Sequence, residues 1–416
     1  MGTVNVDDLR TGMVLSHDLR SPQGRMLLPA GTLLGDEHIR TCRIWGVTEA
    51  RVEGVSEAQA EARADAGIHP DVFKACKQQA ARRFFLLDIG HPAVIELARQ
   101  IIVRAARQTT PDQARAMLEQ AAAPEPAPPA PGMQLHLDPA EIVARELELV
   151  SLPDIFNRIM EAVNNPRSSA SHIADVISKD TSLSAKLLRL VNSPFYGFTQ
   201  KVDTLTRAVA IVGTRELTSL AAGVSVMGLF DDIPAKMMDM RAFWEHSVAC
   251  GVASRLLAAR LKLGQEERFF VAGLLHDIGR LVMCRNHGLP ARLAMERARV
   301  ARQATQVAEK ALWGFDHARL GGMLLAEWTF PDILCQALQR HHSPGGASAR
   351  PDAAVTHMGD ILAHAMGIGH SGSAHVPPMD TAAWDSLGLQ KSVISPVMDQ
   401  IEYQVGEIMR VFFGDG

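Results

Sequence analysis

The chain has 416 residues, a formal net charge of −4, and 47% apolar against 21% charged residues. That length predicts two or three domains, and the near-neutral charge excludes a generic nucleic-acid binder, which needs a basic face for phosphates. At 5%, aromatic residues are too few for a base-stacking platform.

The first fifty residues read as strands and turns. MVLSHDL and RMLLPAGTLL are β-prone runs joined by SPQG, whose Pro22 and Gly24 suit a bend, and Pro29-Ala30-Gly31 marks a second turn. GDEHIRTCRIWG predicts a short helix with Ile39 and Ile44 on its apolar side, ended by Gly46, and VTEARVEG alternates like a closing strand. Residues 71–88 and 92–108 carry helical periodicity around a Gly90-His91-Pro92 break. The division expected is a β-rich module at 1–54, a helical hairpin at 55–120 and a Pro/Ala-rich linker at 121–135. Five prolines between Pro124 and Pro131 deny that linker the amide donors of helix or sheet.

Beyond the linker the pattern is helical, and residues 136–370 read as one domain, with its second part from about 240, ahead of a tail with a helix at 371–416. LPDIFNRIMEAVNN sets Leu152, Ile155, Ile159 and Val163 on one face. SSASHIADVISKD and TSLSAKLLRLVNS open on Ser/Thr caps, and Pro194 closes the second of them. EERFFVAGLLHDIGRLVM and the later segments continue the period, with no alternating strand between 141 and 370. The longest apolar run, Leu217 to Phe230, is broken by Thr218, Ser219 and Ser225 and falls short of the roughly 20 residues that span a bilayer. The N-terminus lacks the apolar core of a secretion signal. Cys42, Cys76, Cys250, Cys284 and Cys335 form no CxxC, which predicts reduced thiols in a cytoplasm. A soluble protein without a membrane segment is expected.

Seven residues in the second half have metal-ligand chemistry: His246, the doublet His276-Asp277, His317, the pair His341-His342, and Asp360. Taken singly, each histidine reads as an ordinary helix residue. Together they occupy different helices or helix ends, which a bundle can converge on one centre. Leu274-Leu275-His276-Asp277-Ile278 would bury an imidazole and a carboxylate, which is costly unless they are paired or bound to metal. Mixed His and Asp donors without Cys suit one or two divalent ions of Fe, Mn, Zn or Mg, and two bridged ions would serve phosphoester hydrolysis.

LLHDIGRLVM resembles the HD superfamily of metal-dependent phosphohydrolases. The run from LPDIFNRIMEAVNN through LVNSPFYGF, the Val212-Gly213 pair, GFDHARLGGMLLAEWTFP and QRHH is similar to the HDOD domain, a bacterial signalling module related to them. The similarity covers roughly residues 141–370. Residues VDDLRTGMVL to CRIWGV resemble the small module that precedes some HD-GYP phosphodiesterase domains. The resemblance implies a mainly α protein: an all-helical HD-like bundle with a small β-rich N-terminal module and helical hairpin. It implies that His246, His276, Asp277, His317, His341, His342 and Asp360 match the ligands of the binuclear HD-GYP branch. There are departures. SPGGASAR follows His342 in place of a Gly-Tyr-Pro loop, Arg280 stands where a lysine is expected, and Ala242 replaces a glutamate used by some members. Arg280 keeps a positive charge for phosphate in a different geometry.

Two functions are implied. The first is a non-catalytic regulatory scaffold with a retained metal or ligand pocket and a signalling protein partner. The second is a metal-dependent phosphohydrolase acting on a nucleotide or other phosphoester. The domain division itself predicts that limited proteolysis cuts first between Ala121 and Gln134 and leaves a stable C-terminal fragment, as gel electrophoresis and mass spectrometry would show. First cleavage inside the bundle would refute it.

Overall fold

The computed structural model describes residues 2–6, 9–20, 26–44, 47, 49–54, 68–121, 135, 137–149, 154–165, 168–198, 200–345 and 351–414. The SPQG turn, Gly46, the proline-rich linker and the end of SPGGASAR lie outside them. The chain divides into two compact units, one of residues 1–81, 96–123 and 392–400, the other of residues 82–95, 124–391 and 401–416.

In the first unit, strand β1 (Gly2–Asn5) pairs antiparallel with β4 (Glu49–Val52), Gly2 facing Val52 and Asn5 facing Glu49. β2 (Leu19–Arg20) pairs with β3 (Met26–Leu28), and helix α1 (Asp36–Ile44) follows. The closing strand is where VTEARVEG placed it, but its partner β1 was not anticipated. MVLSHDL makes only isolated bridges, Val14 to Leu33 and Leu15 to Val52, before β2. These pieces share one core that includes Val4, Leu15, Leu34, Cys42 and Val52. The expected hairpin holds three helices, α2 (Pro70–Arg83), α3 (Pro92–Gln108) and α4 (Pro111–Ala121), around Val72, Ala75, Cys76, Ala106 and Ala114. Arg104 pairs with Asp399.

The second unit is helical among its described residues. It opens with α5 (Pro139–Leu149), α6 (Asp154–Asn164), α7 (Ala170–Ser178), α8 (Thr181–Val191), α9 (Leu205–Val212) and α10 (Thr214–Met227). The buried stripe of α6 is Phe156, Ile159 and Met160, while Ile155 is half-buried. The apolar face is rotated from the expected one because the Phe156 ring packs edge-on against Trp328, 6.0 Å between centroids. Leu152 and the Val163 side chain lie outside the described residues. Ser169 caps α7 through His172 N–H, as expected, but α8 is capped by Asp180, which accepts from Leu183 N–H, and not by Thr181. Aspartate outcompetes the following threonine because its carboxylate reaches that amide from the extended residue before the helix.

The elements that position the site follow: α11 (Met240–Arg260), α12 (Glu266–Leu275), α13 (Ile278–Asn286), α14 (Gly288–Val300), α15 (Thr305–Trp313), α16 (His317–Glu327), α17 (Asp332–Arg340) and α18 (Pro351–Met366). After these come α19 (Thr381–Leu387) and α20 (Ile394–Phe413). EERFFVAGLLHDIGRLVM is thus two helices, not one, because Asp277 leaves helical geometry at φ −97°, ψ 8°. α11 packs on α12 and α18, and α16 packs on α13 and α17.

Two contacts set these distances. A Cβ on Gly273 would stand 2.6 Å from Gly251 Cα, so α11 and α12 meet backbone to backbone. A Cβ on Gly279 would stand 2.1 Å from the His317 carbonyl oxygen and 2.8 Å from Gly321 N. Gly279→Ala is therefore expected to destabilise the protein by about 1–3 kcal/mol, the ordinary cost of overpacking. Gly406→Ala, on an exposed part of α20 with nothing within 4 Å, is expected to stabilise it by roughly 0.5–1 kcal/mol. Urea denaturation of the two variants checks both signs.

Candidate metal centre

His246 lies in the first half of α11, buried with Trp244 and Ser247 while Glu245 beside it is half-buried. His276 and Asp277 form the bend between α12 and α13. His317 is the first residue of α16, whose N-terminus is capped by Asp316 accepting from Arg319 N–H. His341 ends α17 and His342 follows it, while Asp360 lies on α18. His246, His276, Asp277, His317, His341 and Asp360 are each at most 2% exposed, and His342 is half-buried.

All seven face one centre. Asp277 Oδ1 lies 2.9 Å from His317 Nε2 and 3.9 Å from His341 Nε2, and Asp277 Oδ2 lies 3.4 Å from His276 Nε2. Asp360 Oδ1 is 3.2 Å from His246 Nε2 and 3.4 Å from His276 Nε2. The Nε2 atoms of His342 and His317 are 2.8 Å apart. Donors held about 2.0–2.3 Å from one ion in a tetrahedral set stand roughly 3.3–3.8 Å from each other, close to the 2.8–3.9 Å seen here.

Supporting groups fix the rings. His276 Nδ1–H donates to Gly273 O at 2.7 Å and His341 Nδ1–H to Leu338 O at 2.6 Å. A carbonyl cannot donate, so Nδ1 carries a proton and Nε2 is the atom turned inward. His317 Nδ1–H donates to Glu309 Oε2 at 2.6 Å, and the same oxygen accepts from His317 N–H at 2.9 Å. Nε2 of His246, His276 and His341, both Asp277 oxygens and Asp360 Oδ1 have no hydrogen-bond partner despite full burial. Orphaned lone pairs of this density fit a bound divalent cation.

Burial disfavours charge on Asp277, Asp360, His276, His317, His341 and His342. Against it, Arg280, His276 and His317 hold the Asp277 carboxyl well below the carboxylate range, and His364 and His276 do the same for Asp360. Burial and Arg280 oppose a proton on His317, but Glu309 and Asp277 outweigh them and raise it to about 9. Burial, then the charges of His276 and His317, push His341 down to about 3, and His342 likewise lies well below its usual value. Metal binding requires ionised carboxylates and neutral imidazoles: His341 and His342 are already in that state, whereas Asp277 and its neighbouring acids hold protons on His276 and His317 that an entering ion would displace. A divalent ion held there would supply a Lewis acid and acidify a bound water.

Arg280 is 3% exposed. Its Nε lies 3.2 Å from Asp277 Oδ1, and its Nη1 donates to Ser371 O at 2.9 Å and to Ser373 Oγ at 2.8 Å. Residues 368–377 thus run across the mouth of the centre. His370 N–H donates to Ala242 O at 2.9 Å, Ser373 Oγ is 2.9 Å from Thr305 Oγ1, and Val376 N–H donates to Arg83 O at 3.0 Å. The space left below, lined by Arg280, Thr305, His342, Asp360, His364 and His375, is about 10 Å³, the room of one water.

Sequence reasoning missed Glu309, His364 and the crossing segment. His364 had a signal, since it follows Asp360 by one helical turn. Glu309 had none, because eight residues and a turn separate it from the histidine it supports. The segment looked like the start of a tail.

A model of the HDOD domain family matches residues 149–344. An uncharacterised protein of Treponema pallidum (strain Nichols) is 26% identical over 210 residues, 49% of this chain, and the chain spans only 39% of that relative's length. The fold is similar to that of a candidate phosphohydrolase from Shewanella amazonensis SB2B, with TM-score 0.53 and 23% identity over 66% of this chain and 98% of the other. It is similar to an HDOD domain protein of unknown function from Geobacter sulfurreducens, with TM-score 0.53 and 22% identity over 66% and 98%. A candidate signal transduction protein from Marinobacter aquaeolei VT8 gives 0.50 and 24% over 68% and 62%. The helical fold, the HD-type doublet and these likenesses agree: this chain carries an HDOD domain with an all-helical, HD-like fold.

Proposed function

We propose that this chain is a signal-transduction HDOD protein in which one or two divalent ions of Fe, Mn, Zn or Mg brace a closed helical centre, and in which the bundle's conformation is the output, read by a signalling protein partner. The observation that carries this is the segment 368–377. It occupies the donors of Arg280, the one cation beside the centre that was expected to meet phosphate. The space beneath it, about 10 Å³, compares with roughly 300–1,000 Å³ for ordinary ligand pockets. Hydrolysis needs a substrate phosphate at the centre with a water in line, and a space with room for one water does not take both. The metal braces instead: an ion that binds only the folded chain adds its binding energy to stability.

A second reading, a metal-dependent phosphohydrolase acting on a nucleotide or other phosphoester, is favoured by the convergence of all seven donors. It requires residues 368–377 to leave Arg280. His317 and Asp277 would then hold their present places, with Glu309 fixing the His317 ring and Arg280 free to meet an anion.

Two outcomes test this reading. Saturating Mn²⁺ or Zn²⁺ at a hundredfold excess over its dissociation constant is expected to stabilise the protein by about 2.7 kcal/mol, seen as a rise in Tm that a chelator reverses and Asp277→Asn abolishes. An unchanged Tm in both proteins would overturn the metal reading. Anaerobic assays with Fe²⁺ and Mn²⁺ are expected to give only background turnover of cyclic di-GMP, equal in the wild type and in His276→Ala/Asp277→Ala. Turnover of about 1 s⁻¹ or more, lost in the double variant, would establish the hydrolase instead.

A further inference from the structure

The donors anticipated from the sequence leave one imidazole in the centre unassigned. His364 stands on α18 one turn after Asp360, with its side chain 9% exposed. Residues four apart share a helix face, so α18 offers a carboxylate and an imidazole together. His364 Nε2 lies 3.2 Å from Asp360 Oδ1, the same oxygen that lies 3.2 Å from His246 Nε2 on α11. The two imidazole centroids are 4.3 Å apart. His246 Nε2 and Asp360 Oδ1 both lack a hydrogen-bond partner, although each is buried. One atom from each of the three residues falls within 4.8 Å of the others; by the same measure His317, His341 and His342 form another group, and His276 joins the two sides through His246 and Asp277 and through His341 and Asp360. On α11 the position one turn before His246 is Ala242, whose side chain has no donor and whose carbonyl accepts from His370 N–H. A third donor on this side of the centre therefore comes from α18.

We propose that His364 is a metal ligand. With His246 and Asp360 it forms a cation site of two imidazoles and one carboxylate, beside the three-imidazole site of His317, His341 and His342. The inference rests on the metal reading above and adds an eighth donor to it. Imidazole donors select a first-row transition ion such as Fe²⁺, Mn²⁺, Co²⁺ or Zn²⁺ over Ca²⁺. The His364 site takes its carboxylate from Asp360 and its neighbour lies against Asp277, with Arg280 beside only the latter, so the two sites are inequivalent.

The test loads the full chain with Mn²⁺ or Co²⁺ and measures ions per chain, affinities by titration calorimetry and the Co²⁺ visible bands. The wild type is expected to bind two ions and His364→Ala one. Affinity for the ion lost should fall by more than about 100-fold, beyond the 10–100-fold cost of removing a group that only supports a ligand. His364→Asp is expected to restore the second ion with altered Co²⁺ bands, and His370→Ala to leave both ions in place. If His364→Ala unfolds by circular dichroism, His364→Gln carries the comparison, since it keeps bulk and polarity without the imidazole. Two ions with wild-type affinities in His364→Ala or His364→Gln would overturn the assignment while the metal reading stands. The same holds if wild type and variant each bind a single ion equally. A wild type that binds no ion would overturn the metal reading, and the assignment with it.

Discussion

A carboxylate cannot leave water without company, and Asp277 is 1% exposed at the middle of a helical core. Its company dictates the architecture around it. His317 and His341 approach Oδ1 from α16 and the end of α17, His276 approaches Oδ2 from the adjacent position, and Arg280 reaches back from the first turn of α13. Four helices, α12, α13, α16 and α17, end or begin at this point for their donors to arrive. The bend at 276–277 serves that need, because a continuous helix would turn neighbouring side chains about 100° apart and carry one of them away from the centre.

Arg280 joins this charge to the outside of the bundle. One guanidinium faces Asp277 through Nε, His317 through Nη2 at 3.3 Å and the two serines of segment 368–377 through Nη1. Its planar fork lets a single residue serve several partners, which the point charge of a lysine does less well. The position of the crossing segment and the electrostatic balance of the centre therefore share one side chain. The segment and Asp360 both lie beyond residues 149–344, so the centre is completed by chain outside the span that matches the HDOD model.

Much of this was legible from residues alone because the chemistry is local. His276-Asp277 and His341-His342 are doublets, and an imidazole or carboxylate inside an apolar run announces its own cost. The helical class followed from periodicity, and the capping signals of α7 and the stop at Pro194 are short-range. What escaped was set by tertiary contact. The apolar face of α6 turned because of an aromatic partner at Trp328, more than 160 residues away in sequence. β1 has no strand signature stronger than its neighbours and is selected by pairing with β4. Glu309 and the Ser371–Arg280 contact join residues with no shared motif, so no spacing rule points to them. His364 was within reach of the helical period, but no doublet or motif singles it out.

The close approaches of α11 to α12 and of α13 to α16 are made by glycines whose missing Cβ atoms leave no space for a substitute. The donors project into a different region, the cavity these approaches surround. Framework and chemistry are therefore encoded separately. Replacing one donor leaves its partners' charge buried and uncompensated, at a cost of about 3–5 kcal/mol, whereas substituting the whole set by apolar groups is often neutral or favourable. Replacing Gly279 or Gly273 displaces a helix. The donors of such a centre are consequently held or lost together as a set, while the glycine contacts keep the helices in place in either case.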